Sequence, residues 1–561
     1  MATIGVVTGW VDSAYHLRVL RAIRRTATEV GLNVVTFVTA VQGDSGYWHT
    51  LECLDPSMLD GLILISSGLS HLTRVDREAF LSQVAGIPTC GVAIAPPGAS
   101  SVSIDNESGL LETVRHLVRH HGYRHLAFVG GPEEDDDARA RLLAFQHAVD
   151  AEQIEVEPRY ILPGDFMMTG GQRAVRTLIE ERGIDKDTLD AIVAANDNTA
   201  RGCVDALAGY GIRVPWHLAV VGFDDGIVAQ QSPVPLTTVH QPFHRLGTQA
   251  VHQLIARMDG AEPTHTVLPT ELVVRRSCGC LEGMGQLQLS AEDLRRRGGR
   301  GFSMALLERR EKILAEIRHA TRGRVGGLAL GWETQLLGEF VDELTGRSPD
   351  AFRVGLQDLL DQVIEHRGNP AVFHDVVSVL WRHVVPCVMS DPAQRTAVEG
   401  LLDSARLAVA RATQRIQAGE IEANEVLAEA VGGACVALAS STRLEDVATL
   451  VRQRLPSLGI RRLVVALYPR GGGPVGGVDE VMRFDGRSVQ LQERRVPLAS
   501  LPGSVLAGGP TADVLVMPLH ARGKAFGVVC MEVRPLRTMV CMAIRDALSA
   551  ALRRVRPVGR A

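Results

Sequence analysis

Strand–helix alternation, sustained from Thr3 to Asp225, constrains this chain more than any other feature. Short apolar runs recur: TIGVVT, NVVTFV, GLILIS, IPTCGVAI, HLAFVGG, AIVAAND and LAVVGFDD. Between them lie polar stretches whose apolar residues fall at helical spacing, as at Leu17, Leu20, Ile23 and Ala27. Runs of this kind, separated by helices, pair as a parallel sheet covered on both faces. One sheet of so many strands would be unusual. The pattern therefore predicts two doubly wound halves with the chain passing between them. VSIDNESG (Val102 to Gly109) is one expected crossing, near residue 105. LTTVHQP is the second, near residue 240, and carries the helix HRLGTQAVHQLIARMDG back. TVLPTELVVRRSCGC then closes a domain spanning 1–280.

A chain of 561 residues is too long for one core, so further domains are expected. Residues 281–302 lose the strands and gain glycine and arginine, which reads as a linker. Its RRRGGR is a solvated run, with nucleic-acid contact as the alternative. Residues 303–435 are helical in period, and LLDSARLAVARATQRIQAGEIEANEVLAEAV suits one long helix. Such elements join signalling domains or pair with their own copy. Residues 436–561 return to mixed α/β. RRLVVALYPR, DVLVMPLHARG and KAFGVVCMEV read as strands, the latter two as a hairpin around Ala521-Arg522-Gly523, and the helix TMVCMAIRDALSAALRRV follows.

Apolar residues make up 46% and charged residues 22%, as in globular proteins, and the net charge of −5 gives no general drive toward nucleic acid or anionic membrane. MATIGVVTGWVDSAYHL carries no basic leader, and no apolar run has spanning length. A soluble, cytoplasmic protein without a membrane partner is expected. The nine cysteines are odd in number and never spaced CxxC, which suits reduced thiols. Cys278-Gly279-Cys280 is the only close pair and lacks the usual zinc partner spacing. His116 and His120 have i,i+4 spacing without an identifiable third ligand, so the histidine cluster HLVRHHGYRH reads as a solvated helix end. No metal and no cofactor are expected. EEDDD (Glu133 to Asp137) reads as negative charge ahead of a helix, with cation coordination as the alternative.

In open α/β sheets, ligands sit beyond the carboxyl ends of the strands. The tips here carry Gly164-Asp165-Phe166, Asn196-Asp197 and Phe223-Asp224-Asp225, with Arg141 one turn into the helix after Gly130-Gly131. Carboxylates, an amide, a guanidinium and an aromatic face suit a neutral polyhydroxylated ligand such as a sugar. The alternative is that Asp and Asn cap the helices that follow. Asp225 is assigned to such a cap of the next turn.

The ordered run AIVAANDNTARGCVDALAGYGIRVPWHLAVVGFDD, then PLTTVHQPFHRLGTQAVHQLI and LPTELVVRRSC, with GDF and ARARLLAF as shorter matches, resembles the effector-binding domain of the LacI/GalR family. The resemblance covers residues 3–280. It implies a two-lobed, periplasmic-binding-protein-like (type I) α/β fold with parallel sheets. It also implies that Arg141 binds ligand, Phe166 stacks on it, and Asn196 and Asp224 hold it. Tyr15 matches an aromatic on the other lobe, and Gln241 reaches the ligand from the returning crossing. Two departures stand out. Ser13-Ala14-Tyr15 replaces the family's Asn-Pro-aromatic, and the first strand starts at Thr3 with no helix-turn-helix headpiece before it.

MPLHARGKAFGVVCMEV and the helix after it make residues 436–561 resemble a GAF domain, read as a dimerisation or relay module. GGGPVGG (Gly471 to Gly477) lacks the Lys-Ser/Thr of a phosphate loop and reads as a mobile loop. No nucleophile–base pair and no kinase or cyclase signature is visible, so an enzyme is not expected. The resulting expectation is a sugar-like sensor that regulates transcription or signalling through lobe closure, relayed by the helical segment. Its expected partners are a small-molecule effector, a second copy in a homodimer and a downstream signalling protein. The alternative is a DNA-binding transcription regulator that uses a non-standard element.

Overall fold

A computed structural model of the chain describes residues 2–9, 11, 14–39, 48–70, 72–183, 188–280, 308–322, 324–325, 327–366, 368–388, 391–469, 477–506, 512–521, 524–534 and 537–555. It forms two compact units, one of residues 284–429 and one of the remainder.

In the larger unit, strands β1 (Thr3–Thr8), β2 (Asn33–Val38), β3 (Gly61–Ile65), β4 (Thr89–Val92) and β5 (Ser100–Ile104) form a parallel sheet. Helices α1 (Ala14–Glu29), α2 (Trp48–Leu51) and α3 (Arg74–Gln83) connect the first four of them. Along β1, β3 and β4 every residue is buried, which is why these strands read as continuous apolar runs rather than as alternation.

After β5 the chain crosses into a second lobe. Here α4 (Asn106–Arg115) leads to the parallel strands β6 (Leu126–Val129), β7 (Ile161–Leu162), β8 (Ala191–Ala194) and β9 (Ala219–Val221), in the spatial order β7-β6-β8-β9. Helices α5 (Asp136–Ala151), α6 (Met168–Arg176) and α7 (Asp197–Gly209) alternate with them, and α8 (Ile227–Gln231) follows β9. Strand β10 (Thr238–His240) carries the chain back to α9 (Phe243–Met258), which packs on α1. Strand β11 (His265–Leu268) joins the first sheet beside β5. The chain then crosses a third time at Pro269-Thr270 into β12 (Glu271–Val273), which pairs antiparallel with β10. This third crossing is absent from the sequence expectation, which runs Thr266 to Cys280 as one closing segment.

The three crossings meet at Gly109. A Cβ there would sit 2.8 Å from both Val239 Cγ1 and Thr270 Oγ1, so only glycine lets α4 approach both the second and the third crossing. Thr270 Oγ1 also donates to the Asp105 carbonyl at 2.8 Å.

The C-terminal strands β13 (Ile460–Leu467), β14 (Val478–Phe484), β15 (Val489–Val496), β16 (Asp513–Ala521) and β17 (Lys524–Val533) form an antiparallel set in the order β16-β17-β13-β14-β15. This set continues the first lobe's sheet: β16 pairs in parallel with β2, from Asp513↔Val34 to Val516↔Phe37. The joint is sealed by the Arg24–Asp513 ion pair and by the Ala512 N–H, which donates to Asn33 Oδ1 at 2.9 Å. Val35, Phe37, Val514, Val516, Val528 and Cys530 share one core. Joining the sheets removes the open edge that β2 would otherwise present. The sequence expectation instead routes communication through the helical segment.

Strands β14 and β15 are missing from the sequence expectation. Along β15, VQLQERRV, nearly every side chain is exposed, so no apolar alternation marks it. The RRRGGR run, residues 471–476 of the glycine-rich stretch, and Arg522-Gly523 of the hairpin turn lie outside the described residues.

In the smaller unit, helices Arg310–Thr321, Trp332–Leu344, Ala351–Glu365 and Phe373–Val384 pack around Phe340, Phe352, Leu360 and Phe373. The expected long helix runs from Pro392 to Ser440, 49 residues. No helix among the described residues is long and apolar enough to cross a membrane.

Candidate functional site

Polar side chains converge where the tips of β6, β8 and β9 face the crossings. Arg141, on the first turns of α5, is their centre, with its side chain only 3% exposed. Its Nη1 donates to the Ala195 carbonyl at 2.6 Å and to Asp224 Oδ1 at 3.3 Å, and its Nε donates to Asn106 Oδ1 at 3.2 Å. The guanidinium lies over the Phe223 ring at 4.1 Å and the Phe166 ring at 5.7 Å. Such cation–π contacts strengthen as water is excluded. Gln241, on the returning crossing, donates from Nε2 to Asp224 Oδ1 at 2.6 Å. Its Oε1 is buried and has no hydrogen-bond partner among the described residues.

Of the six expected site residues, Arg141 and Gln241 are both bonded to the third, Asp224. Phe166 adopts a left-handed backbone conformation (φ 61°) and presents its ring to Arg141. Asn196 Oδ1 accepts from the Thr199 N–H and caps α7, while its Nδ2 donates to the Phe166 carbonyl. Cap and strand-tip anchor are thus the same side chain. Tyr15 reaches the site from the first lobe, packing edge-on against Phe243 at 5.7 Å. Burial, reinforced most by the charge of Asp137, pushes its hydroxyl well above the usual range.

Asp225 differs from its expected role. Its carboxylate receives Arg275 Nη2 at 2.7 Å and lies 3.0 Å from His240 Nδ1, and it makes no cap bond to the helix that follows, α8. Burial would raise it, but those two partners hold it below the usual carboxylate range. The turn assigned to it is held instead by Asp197, which accepts from the Gly226 N–H at 2.7 Å and from Thr238 Oγ1 at 2.6 Å. Asp224 sits at φ 118°, a conformation that only a surrounding network sustains.

Sequence reasoning missed Asn106, Asp137 and Arg18. Asn106 bridges Arg141 and Asp137, donating to Asp137 Oδ1 at 3.4 Å. In sequence, Asp137 reads as charge ahead of a helix, with cation coordination as the alternative. It lies in the first turn of α5, four residues before Arg141, and that spacing is the signal available. Arg18 donates from Nη1 to the Asp225 carbonyl at 3.2 Å, and Arg77 pairs with Asp136 at 3.0 Å; both link the first lobe to the second.

Burial raises Asp224 to about 6 against the opposing pull of Arg141 and Gln241. It raises Asp137 to about 6 as well, again opposed by Arg141. Burial thus raises two carboxyls around one guanidinium, and hydroxyl donors would favour their ionised form.

Among known protein families, residues 114–278 match the periplasmic binding protein-like domain. The chain is 30% identical over 266 residues to the ribose operon repressor of Escherichia coli (strain K12), covering 47% of this chain and 76% of that one. It is 32% identical over 225 residues to the HTH-type transcriptional regulator CelR of Thermobifida fusca, covering 39% of this chain and 63% of that protein. Among solved structures, the lac repressor dimer bound to operator and the anti-inducer ONPF aligns with a TM-score of 0.44 and 27% identity, covering 49% of this chain and 94% of that one. The chain thus spans less than two thirds of the length of CelR.

Proposed function

The chain belongs to the LacI/GalR family, and from that premise we propose that it is a regulator of transcription whose two lobes close on a small polar effector. The effector class is a neutral polyhydroxylated molecule, sugar-like in size and chemistry. The Arg141–Asp224–Gln241 network beside the Phe166 and Phe223 rings carries this reading, together with the unpaired buried acceptor Gln241 Oε1. A hydroxyl donates to a carboxylate or amide oxygen and accepts from a guanidinium, while the rings cover the apolar face of a pyranose. An unmade bond at a buried acceptor costs about 1–3 kcal/mol, and a ligand hydroxyl would recover it.

The effector biases the lobes only by as much as it binds the closed arrangement better than the open one. Closure turns about the three crossings around Gly109. The first lobe's sheet runs on into β16, so its movement would reach the C-terminal α/β region, proposed here as a GAF-like relay, without passing through the helical unit. The protein acts in the cytoplasm as a homodimer, and its output is control of transcription rather than catalysis.

The test is a thermal-shift screen of the purified chain against sugars, sugar acids and nucleosides, repeated with Asp224→Asn and Gln241→Leu. A true effector raises the melting temperature by mass action, and both variants should lose that rise while keeping a cooperative apo transition. Variants that respond like wild type would remove the site. Salt-dependent, sequence-selective binding to duplex DNA would assign the output to the chain itself, and its absence would assign it to a partner.

A further inference from the structure

At the far end of α4 from the cleft, two histidines from the middle of the ligand-binding region meet two cysteines from its C-terminal end. The helix does not stop at Arg115 but passes into a π-turn, His116–His120. In an α-helix, residues five apart diverge by about 140° around the axis. The wider π-turn aligns residues i and i+5, so His116 and His121 face each other, with Nε2 atoms 3.3 Å apart. His120, which the sequence spacing pairs with His116, instead stacks its ring on it at 5.1 Å between centroids.

Opposite lies Cys278-Gly279-Cys280. Gly279 has φ 107°, the sharp reversal that turns both sulfurs to one side, and a Cβ there would come within 3.3 Å of His121 Cε1 and Tyr123 Oη. Just before this turn, Ser277 is tied to β9, its Oγ donating to the Val220 carbonyl at 2.5 Å. Cys278 Sγ lies 3.4 Å from His116 Nε2. Cys280 Sγ lies 3.5 Å from His116 Nε2 and 3.4 Å from His121 Nε2. All four ligand atoms fall within 4.8 Å of one another.

Hydrogen bonding cannot account for this crowd. His116 Nε2 has one proton or one lone pair, yet three ligand atoms surround it at 3.3–3.5 Å. A tetrahedral ion with bonds of about 2.0–2.1 Å to nitrogen and about 2.3 Å to sulfur sets its ligand atoms about 3.3–3.8 Å apart. We propose that His116, His121, Cys278 and Cys280 form a closed Cys2His2 site for a thiophilic divalent cation, zinc by preference. Two thiolates and two imidazoles select zinc over magnesium or calcium, and four protein ligands leave no open position, so the role is structural. The ion clips the last residues of the ligand-binding region to the helix whose first residue, Asn106, holds Arg141.

The test uses the full-length chain purified without a metal-affinity tag. Elemental analysis should find about one zinc per chain in wild type and about none in Cys278→Ser/Cys280→Ser or His116→Ala/His121→Ala. His120→Ala should keep its zinc. Because the variants could misfold, the second arm stays with wild type. Chelated, reduced protein titrated with Co(II) should develop thiolate-to-metal charge transfer and the visible bands of a tetrahedral site, saturating at one equivalent and bleached by zinc. Octahedral cobalt spectra, zinc retained by the double-serine variant, or metal-free wild type with a Cys278–Cys280 disulfide by mass spectrometry would each overturn the proposal.

Discussion

The two ends of α4 hold polar clusters built on opposite plans. At its N-terminus, Asn106 joins a cleft whose groups are carried by strand tips, a crossing and the first turns of α5, and in which Gln241 Oε1 has no partner among the described residues. At its C-terminus, the His/Cys cluster is drawn together by two local distortions, a π-turn and a glycine reversal, with its four ligand atoms within 4.8 Å of one another. The cleft leaves Gln241 Oε1 without a partner among the described residues, which suits the transient guest proposed for it. The cluster has contacts enough for a permanent one. A site meant to release its ligand must keep part of its bonding unsatisfied; a structural site has no such need.

Perturbing each end separately tests whether that contrast is real. The largest effect is expected from Arg141→Ala. It strips the Ala195 carbonyl, Asn106 and Asp224 of their buried partner and should lower stability by about 3–5 kcal/mol in urea unfolding, while zinc content stays at the wild-type value. A smaller loss with effector response intact would make Arg141 peripheral.

Next comes Asp224→Asn. The folded carboxyl titrates at about 6, above its ordinary 3.8, so it binds more protons folded than unfolded between those values. Its stabilising contribution is complete below the unfolded pKa and is lost as pH rises through the folded one. His16, held neutral by burial, slopes the opposite way, so the readout is the difference between variant and wild type. Relative to wild type, Asp224→Asn should gain about 1–3 kcal/mol in urea unfolding as pH rises from about 4 to about 7. A flat difference would mean that Asp224 is ionised freely in the fold.

Gly279→Ala tests the other end. Forcing an L-residue to φ 107° against His121 should cost about 1–2 kcal/mol and lower zinc occupancy while sparing effector response. The smallest effect is expected from Arg77→Ala, which removes a partly exposed pair between the lobes worth about 1 kcal/mol or less. It should leave both clusters intact and weaken effector binding slightly, seen as a reduced thermal shift.

How far sequence reaches differs between the clusters for the same reason that their plans differ. Strand tips follow apolar runs, so Asn196, Asp224 and Phe166 are legible from residue order, and all three converge on Arg141 directly or through the Phe166 loop. Asn106 and Asp137 escape notice because each lies within two residues of a capping aspartate and looks like ordinary helix-start polarity. The histidines are visible, but spacing pairs the wrong two. Spacing arguments assume 3.6 residues per turn, and the π-turn breaks that assumption between His116 and His121. Strand β15 is overlooked because its exposed polar side chains carry no alternation.

Sequence by itself determined the parallel α/β architecture, the two-lobed division and the strand-tip chemistry, because burial of apolar strands and the offsets of helix caps are local consequences of residue order. Tertiary structure alone decided that β16 extends the first lobe's sheet, that three crossings close on Gly109, and that Cys278 and Cys280 meet His116 and His121. Each of those joins residues far apart in the chain, and no periodicity along a chain records which distant segment will lie beside it.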